Sequence, residues 1–358
     1  MHSNKLKIVF LPILVIFSLL GSFTLIKNST AGENRVRRRG KFEFALIGDV
    51  PYGDNNVGKL DNLIEDVNAE RKLKFVLHAG DIKGGSSECS DERFQARLEQ
   101  YQKFRLPFIL TLGDNEWTDC HRTAAGQYNP IERLEKLREI FYPRPGFSTI
   151  GRMERVLTQA KLQGYEDYVE NQLWIQKRVV FSTIHVVGSN NNLALWSGIG
   201  ETDTDGVLAT SPEECAGETT SNRVLCEQRT GEFVNRLAAA VNWLETTFDA
   251  AEKADSPGIF IMIHANPRFD LAQDDPERAG FNRFLKLLEE KVQEFGRPVI
   301  LAHGDFHFYL LDRPLPGVSN FTRVQTFGAD EVNWIRVTVD PKSAEVFKIE
   351  PVVVEENL

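Results

Sequence analysis

Three apolar runs of strand length, each closed by Gly-Asp, confine this chain to a narrow set of folds. Phe42–Ile47 leads into Gly48-Asp49, Phe75–Ala79 into Gly80-Asp81, and Phe108–Leu112 into Gly113-Asp114. The spacing of apolar residues predicts helices between them, one around Leu60–Arg71 and one capped by Ser90 or Asp91 and running to about Phe104. Farther on, Ile259–Ile263 ends in His264, and Val299–Ala302 ends in His303-Gly304-Asp305-Phe306-His307, with a helix predicted over Arg278–Phe295 between them. Alternation of strand and helix builds a largely parallel sheet, and polar residues that follow such strands collect along one edge. Two more strands, near Val332–Val339 and Ala344–Val354, have no clear helix between them and read as an antiparallel addition. The fold class is α/β.

A glycine before each aspartate allows a sharp turn and leaves room beside the carboxylate. A single Gly-Asp after a strand is an ordinary loop start. Three in succession, joined by two later strand ends that carry histidine, form a convergent ligand set. Two divalent cations need Asp and His donors from several strands, usually with one carboxylate shared. The chain balances 42 Lys and Arg against 51 Asp and Glu, a formal charge of -9. With no basic run in its main body, it is a poor candidate for wrapping nucleic acid.

Residues 1–31 stand apart from the fold. Lys5 and Lys7 precede an almost wholly apolar stretch over Ile8–Ile26, and Ser29-Thr30-Ala31 supplies small residues for cleavage. This reads as a removable signal peptide or an uncleaved membrane anchor. A basic linker over 32–41, with Arg35, Arg37, Arg38 and Arg39, opposes a simple anchor whose C-terminus is outside. Either way the body, residues 42–358, is expected to be exported: secreted, periplasmic, or held outside the cytosol. Membrane contact is expected only through the N-terminal segment. The chain has 4 cysteines, which allow three pairings. Cys89 follows the Asp81 loop and Cys120 the Asp114 loop, so proximity favours pairing them, with Cys215 and Cys226 flanking a polar loop as the second pair. Free buried thiols are the alternative. Asn28-Ser29-Thr30 and Asn320-Phe321-Thr322 are glycosylation sequons, meaningful only in a eukaryotic secretory pathway.

Taken in order, Gly48-Asp49-Val50-Pro51-Tyr52, Gly80-Asp81, Gly113-Asp114-Asn115-Glu116, His264 and Gly304-Asp305-Phe306-His307 resemble the motifs of the calcineurin-like metallophosphoesterase superfamily, which includes the purple acid phosphatases. That family's pattern is Asp-x-His, Gly-Asp, Gly-Asn-His-Asp/Glu, a lone His, and Gly-His-x-His. The resemblance spans residues 42–307, and the segments near 143–178 and 197–230 read as insertions. It implies a four-layer αββα sandwich and a dinuclear metal site that hydrolyses phosphate esters of small molecules by in-line attack of water.

Carried over by residue, the resemblance makes Asp81 the bridging carboxylate, Asp49 and His307 ligands of one metal, and His264 a ligand of the other. Asp114 stands where Asn is usual and Asp305 where a ligating His is usual. Pro51 replaces the first-motif His, leaving Tyr52 or Asp54 as substitutes. Asn115 replaces the His that assists the leaving group, and His121 is the stand-in proton donor. His303 reads as a core residue or a further ligand, and His78 and His185 as core. Lys83, Arg122 and Arg268 are candidates to hold phosphate oxygens. The carboxylate-rich set favours manganese, magnesium, calcium or iron over zinc. Loss of the usual proton donor leaves a second reading, a metal-stabilised binding protein that no longer hydrolyses.

Overall fold

The computed structural model describes residues 40–202 and 208–358. The N-terminal signal or anchor, and all but the last two residues of the basic linker, lie outside the described residues. In chain order the elements are β1 (Phe42–Ile47), α1 (Val57–Ala69), β2 (Leu73–His78), α2 (Asp91–Tyr101), β3 (Phe108–Leu110), α3 (Pro130–Phe141), β4 (Leu157–Thr158), β5 (Gln172–Gln176), β6 (Val179–Thr183), α4 (Thr220–Lys253), β7 (Ile259–Met262), α5 (Asn282–Phe295), β8 (Val299–His303), β9 (Leu310–Asp312), β10 (Phe321–Gln325), β11 (Trp334–Val339) and β12 (Phe347–Val352). Short 3-10 turns and one five-residue turn, Gly188–Asn192, occupy the connections.

The strands form two sheets, one of five in the order β12-β11-β1-β2-β3 and one of seven in the order β4-β5-β6-β7-β8-β10-β9. β1, β2 and β3 run parallel, as do β6, β7, β8 and β10. β11 and β12 add to β1 antiparallel, as the sequence indicated. The period-2 alternation of side chains sorts each strand between two cores. Phe42, Phe44 and Leu46 of β1 meet Phe181, Phe260 and Ile300 between the sheets, while Ala45 and Ile47 face α1, α2 and α3. Phe260 and Met262 of β7 point inward in the same way, and Ile259 and Ile261 face α4 and α5. Phe44 packs edge-on against Phe260 with centroids 5.0 Å apart, a favoured aromatic geometry. Helices outside each of two face-packed sheets make the expected αββα sandwich.

Three features go beyond the sequence reading. α4 is 34 residues long and takes in residues 220–230 of the segment read as an insertion. Residues 157–158 and 172–176 extend the seven-stranded sheet at one edge, and β9 and β10 complete the other. The Asn320 side chain donates to the carbonyls of Val292 and Arg297 at 2.8 and 3.0 Å, closing the end of α5, so a glycan there would displace both bonds. The disulfides are Cys89–Cys120 and Cys215–Cys226, the pairing favoured by proximity. Cys226 lies within α4, so the second bridge ties the 3-10 turn Pro212–Gly217 to that helix. Two bridges fit an oxidising compartment. Among the described residues, no helix is long and apolar enough to cross a membrane.

Candidate metal centre

The loops after β1, β2, β3, β7 and β8 meet at one edge of the two sheets. Their backbone is unusual: Asp49, Asp81, Asp305 and His307 are all left-handed, with φ of 56°, 59°, 82° and 66°. Each such residue costs roughly 1–3 kcal/mol and persists where surroundings over-determine it. Here the surroundings are hydrogen bonds between loops. The Asp49 amide donates to Gly80 O at 2.9 Å, and the Asp305 amide donates to Asp49 Oδ1 at 2.8 Å. Glu116, wholly buried, accepts the amides of Gly113 at 2.6 Å, Asp81 at 3.2 Å and Ile82 at 3.3 Å, locking the Asp81 and Asp114 loops together. Only glycine fits at 113, since a Cβ there would lie 2.1 Å from Asp81 Oδ1.

Five side chains converge in two overlapping groups. Asp49, Asp81 and His307 can place one donor atom each within 4.8 Å of one another, and so can Asp81, Asp114 and His264. Asp81 belongs to both. His264 Nδ1 donates to Ala79 O at 2.7 Å, which leaves Nε2 facing Asp114 Oδ1 at 3.1 Å and Asp81 Oδ1 at 3.3 Å. A backbone carbonyl fixing the tautomer of an imidazole in this way is a common arrangement around metal-binding histidines. Ser189 donates its hydroxyl toward Asp114 Oδ2 at 3.0 Å and Asp119 Oδ1 at 2.7 Å. Thr326 bonds Asp49 Oδ2 at 3.0 Å.

Without cations this cluster is electrostatically crowded. Burial pushes Asp81 well above the usual carboxylate range, opposed by His264 and reinforced by Asp114, Glu116 and Asp49. Burial likewise raises Asp49 to about 7 against the pull of His264. Asp114 goes the other way, to about 2, because the hydrogen bond and charge of His264 and the Ser189 hydroxyl outweigh its burial. His264 is held protonated well above its ordinary value by Asp81 and Asp114, despite burial. Three buried carboxylates and two imidazole nitrogens, with only one imidazolium to balance them, are a donor set that divalent cations fit.

The other predicted residues divide into those that join this cluster and those that do not. Tyr52 joins it: its hydroxyl bonds Asp81 Oδ2 and lies 3.0 Å from His307 Nε2. Asp54 does not, because the chain turns at Gly53 and sends its carboxylate into solvent to pair with Arg93 at 3.3 Å. Asn115 is spent on holding the shared carboxylate, its side-chain amide donating to Asp81 Oδ2 at 2.5 Å and Tyr52 Oη at 2.6 Å. Asp305 sits beside Asp49, but its carboxylate lies outside both groups and accepts the Asn266 amide at 2.9 Å. His303 is buried, donating from Nδ1 to Gly304 O at 2.9 Å. His121 accepts the Gly198 amide at Nδ1, and burial and Arg122 lower its pKa to about 4. Lys83 is buried against Gly84 O, and burial lowers it to about 8 against the pull of Glu116 and Asp81. Arg122 pairs with Asp119 at 2.7 Å, and Arg268 with Asp270 and Glu277 at 3.1 and 2.8 Å.

Sequence reasoning missed the work of Glu116, Asp119, Asn266 and Thr326, and left the loop Gly188–Asn192 open between reaching the site and being a simple turn; Ser189 reaches it. Glu116 was visible as the last residue of its motif. Ser189 belongs to a run, Ser189-Asn190-Asn191-Asn192, in which all four residues have positive φ. Asparagine's tolerance of that conformation was the available signal.

A two-sheet α/β sandwich with Asp and His donors gathered at its strand ends is a scaffold able to hold metal ions. The chain belongs to the calcineurin-like phosphoesterase family, whose model matches residues 42–307. Among solved structures it is similar to the phosphopantetheinyl hydrolase of Mycobacterium tuberculosis, with 13% identity and a TM-score of 0.46 over 81% of this chain and 90% of that one. It is also similar to GAP50, the anchor in the inner membrane complex of Plasmodium, with 10% identity and a TM-score of 0.45 over 88% and 89%. A 5'-nucleotidase from Candida albicans is similar at 11% identity and a TM-score of 0.44, over 88% of this chain and 52% of that one. No curated protein matches the sequence.

Proposed function

We propose that the protein hydrolyses phosphate esters of small molecules at a dinuclear metal site, with Asp49, Asp81 and His307 holding one ion and Asp81, Asp114 and His264 the other. The sharing of Asp81 by both donor groups carries this reading. Two dications there would polarise the phosphoryl group and favour ionisation of an attacking water. The chain's own residues prepare that site. Ala79 O orients the His264 ring, Ser189 orients Asp114, and the Asn115 amide and Tyr52 hydroxyl hold the shared carboxylate of Asp81. Three carboxylates against two dications leave a net charge of about +1, which still attracts phosphate. The oxygen-rich set favours manganese, magnesium, calcium or iron over zinc.

Metal analysis of the purified protein, followed by a screen of phosphate monoesters, diesters and nucleotides, tests the proposal. Metal-dependent turnover supports it, whereas activity that survives chelation refutes it. The engaged amide of Asn115, and a His121 neutral down to about pH 4, favour one competing reading, a metal-stabilised binding protein. Stoichiometric metal with no ester hydrolysed would establish that alternative.

A further inference from the structure

Phe306 and Phe308 are the two phenylalanines exposed among the described residues, at 41% and 49%, and they flank His307. Apolar side chains exposed singly are ordinary, so it is their placement on either side of His307 that singles these two out. The Phe306 ring also has a cationic neighbour. The Arg268 guanidinium lies over it, 5.7 Å from the centroid. That guanidinium is held in turn by Asp270 and Glu277. The Arg268 amide donates to Asn266 Oδ1 at 3.1 Å, and the Asn266 amide donates to Asp305 Oδ2, so the stack is anchored to the loop that carries the ligand candidate His307. Arg268 is thus committed to two carboxylates and a ring, and its place in the structure is that of a buttress more than of a phosphate clamp. A cation on one face leaves the rest of the ring free to stack.

We infer that Phe306 and Phe308 form an aromatic platform for the alcohol portion of the substrate, and that the site takes phosphate esters whose alcohol carries a planar aromatic ring. This rests on the phosphoesterase reading above. A phosphoryl group held at Asp81 and His307 would bring its ester substituent to the part-exposed side of the site, where His307 and its two neighbours lie. An aromatic substituent gains stacking there that an alkyl one does not.

The test measures binding to the metal-loaded full chain by titration calorimetry, using benzylphosphonate and propylphosphonate, whose C–P bonds are not hydrolysed. The wild-type protein is expected to bind the benzyl compound about tenfold more tightly, an affinity ratio equivalent to about 1.4 kcal/mol. In F306A/F308A that ratio should fall towards one. In F306L, which keeps apolar volume but not the ring, it should fall partway. A wild-type ratio near one, or a ratio unchanged in the double variant, overturns the inference while propylphosphonate binding keeps the phosphoesterase reading intact. If neither phosphonate binds the metal-loaded protein, that reading fails and the platform with it.

Discussion

Around Asp114 and His264 the site is closed, whereas around Asp49 and His307 it opens to solvent. His264 is fully buried and fixed by a backbone carbonyl, and its partner Asp114 is held by Ser189 in a loop tied down by Glu116 and the Cys89–Cys120 bridge. His307 has a side chain 35% exposed, follows a left-handed Asp305, and makes its nearest polar contact with the Tyr52 hydroxyl. Asp49, on the same side, is buried, with one carboxylate oxygen held by the Asp305 amide and the other by the Thr326 hydroxyl. One half is a closed socket. The other opens at His307 alone, and a substrate of the proposed reaction would enter there. Asp81 is the hinge of the comparison, because it belongs to both.

The largest expected effect therefore comes from Asp81. Asp81→Asn removes the shared charge from both halves, and turnover should fall by roughly a thousandfold or more, about 4 kcal/mol of barrier. Metal content should fall from two equivalents to fewer than one. Retention of both ions would show that the halves are independent sites.

Next come the disulfides, which lie at unequal distances from the socket. Cys89–Cys120 closes a loop with a sequence separation of 31, for which chain entropy gives about 3–4 kcal/mol. Cys215–Cys226 spans 11 residues, worth about 2–3 kcal/mol. Both serine pairs should lower the urea midpoint, but only C89S/C120S should weaken metal binding, since its sulfurs sit 3.6 and 3.7 Å from Asn115 O in the Asp114 loop. Equal losses of metal affinity would mean that the socket does not depend on this bridge.

His264→Ala and His307→Ala sharpen the contrast directly. Removing His264 leaves buried carboxylates without their cation and should destabilise the metal-free protein by about 3 kcal/mol. Removing the half-open His307 should stay within about 1 kcal/mol. Each should lose metal. Equal destabilisation of the two variants, read from urea unfolding, would erase the distinction between socket and entrance.

Strand ends were the legible part of this molecule. β1, β2, β3, β7 and β8 are short apolar runs closed by Gly-Asp or His, and Asp49, Asp81, Asp114, His264 and His307 could be read from those closures. Helix α4 was hidden because its buried face carries Arg229, Thr230, Arg236 and Thr247. Arg229 pairs with Glu201 and Arg236 with Glu232 and Asn191. A stripe of paired charges does not register as an apolar period. The choice between Tyr52 and Asp54 was equally out of reach, because it depends on a backbone reversal at Gly53 that spacing does not encode. The position of Asp305 depended on a partner 39 residues away, the amide of Asn266, whereas Arg268 is claimed by carboxylates of its own loop, Asp270 and Glu277, and spacing does not show which nearby charges pair.

His78 lies beneath both halves and supplies the smallest test. Its Nδ1 accepts the Gly80 amide at 3.1 Å, so Nε2 carries the proton and faces Val50 O at 3.2 Å, with the Tyr101 hydroxyl at 3.0 Å. One ring thus joins the segment following Asp49 to the segment preceding Asp81. Burial, which outweighs the Val50 hydrogen bond, lowers its pKa to about 3. In the unfolded chain it titrates near 6.5. Between those values the unfolded state binds the extra proton, so the stability that neutral His78 contributes is fully present above pH 6.5 and is lost as pH falls towards 3. From pH 7.5 to pH 5 the loss is about 2 kcal/mol. The carboxylate cluster titrates over an overlapping range, so the informative quantity is a difference: urea unfolding of metal-free wild type and His78→Gln at pH 7.5 and pH 5.0. Wild type should lose about 2 kcal/mol more than the variant on acidification. Parallel losses would mean that His78 takes up its proton inside the fold, and the link it makes between socket and entrance would then have to survive a charged ring.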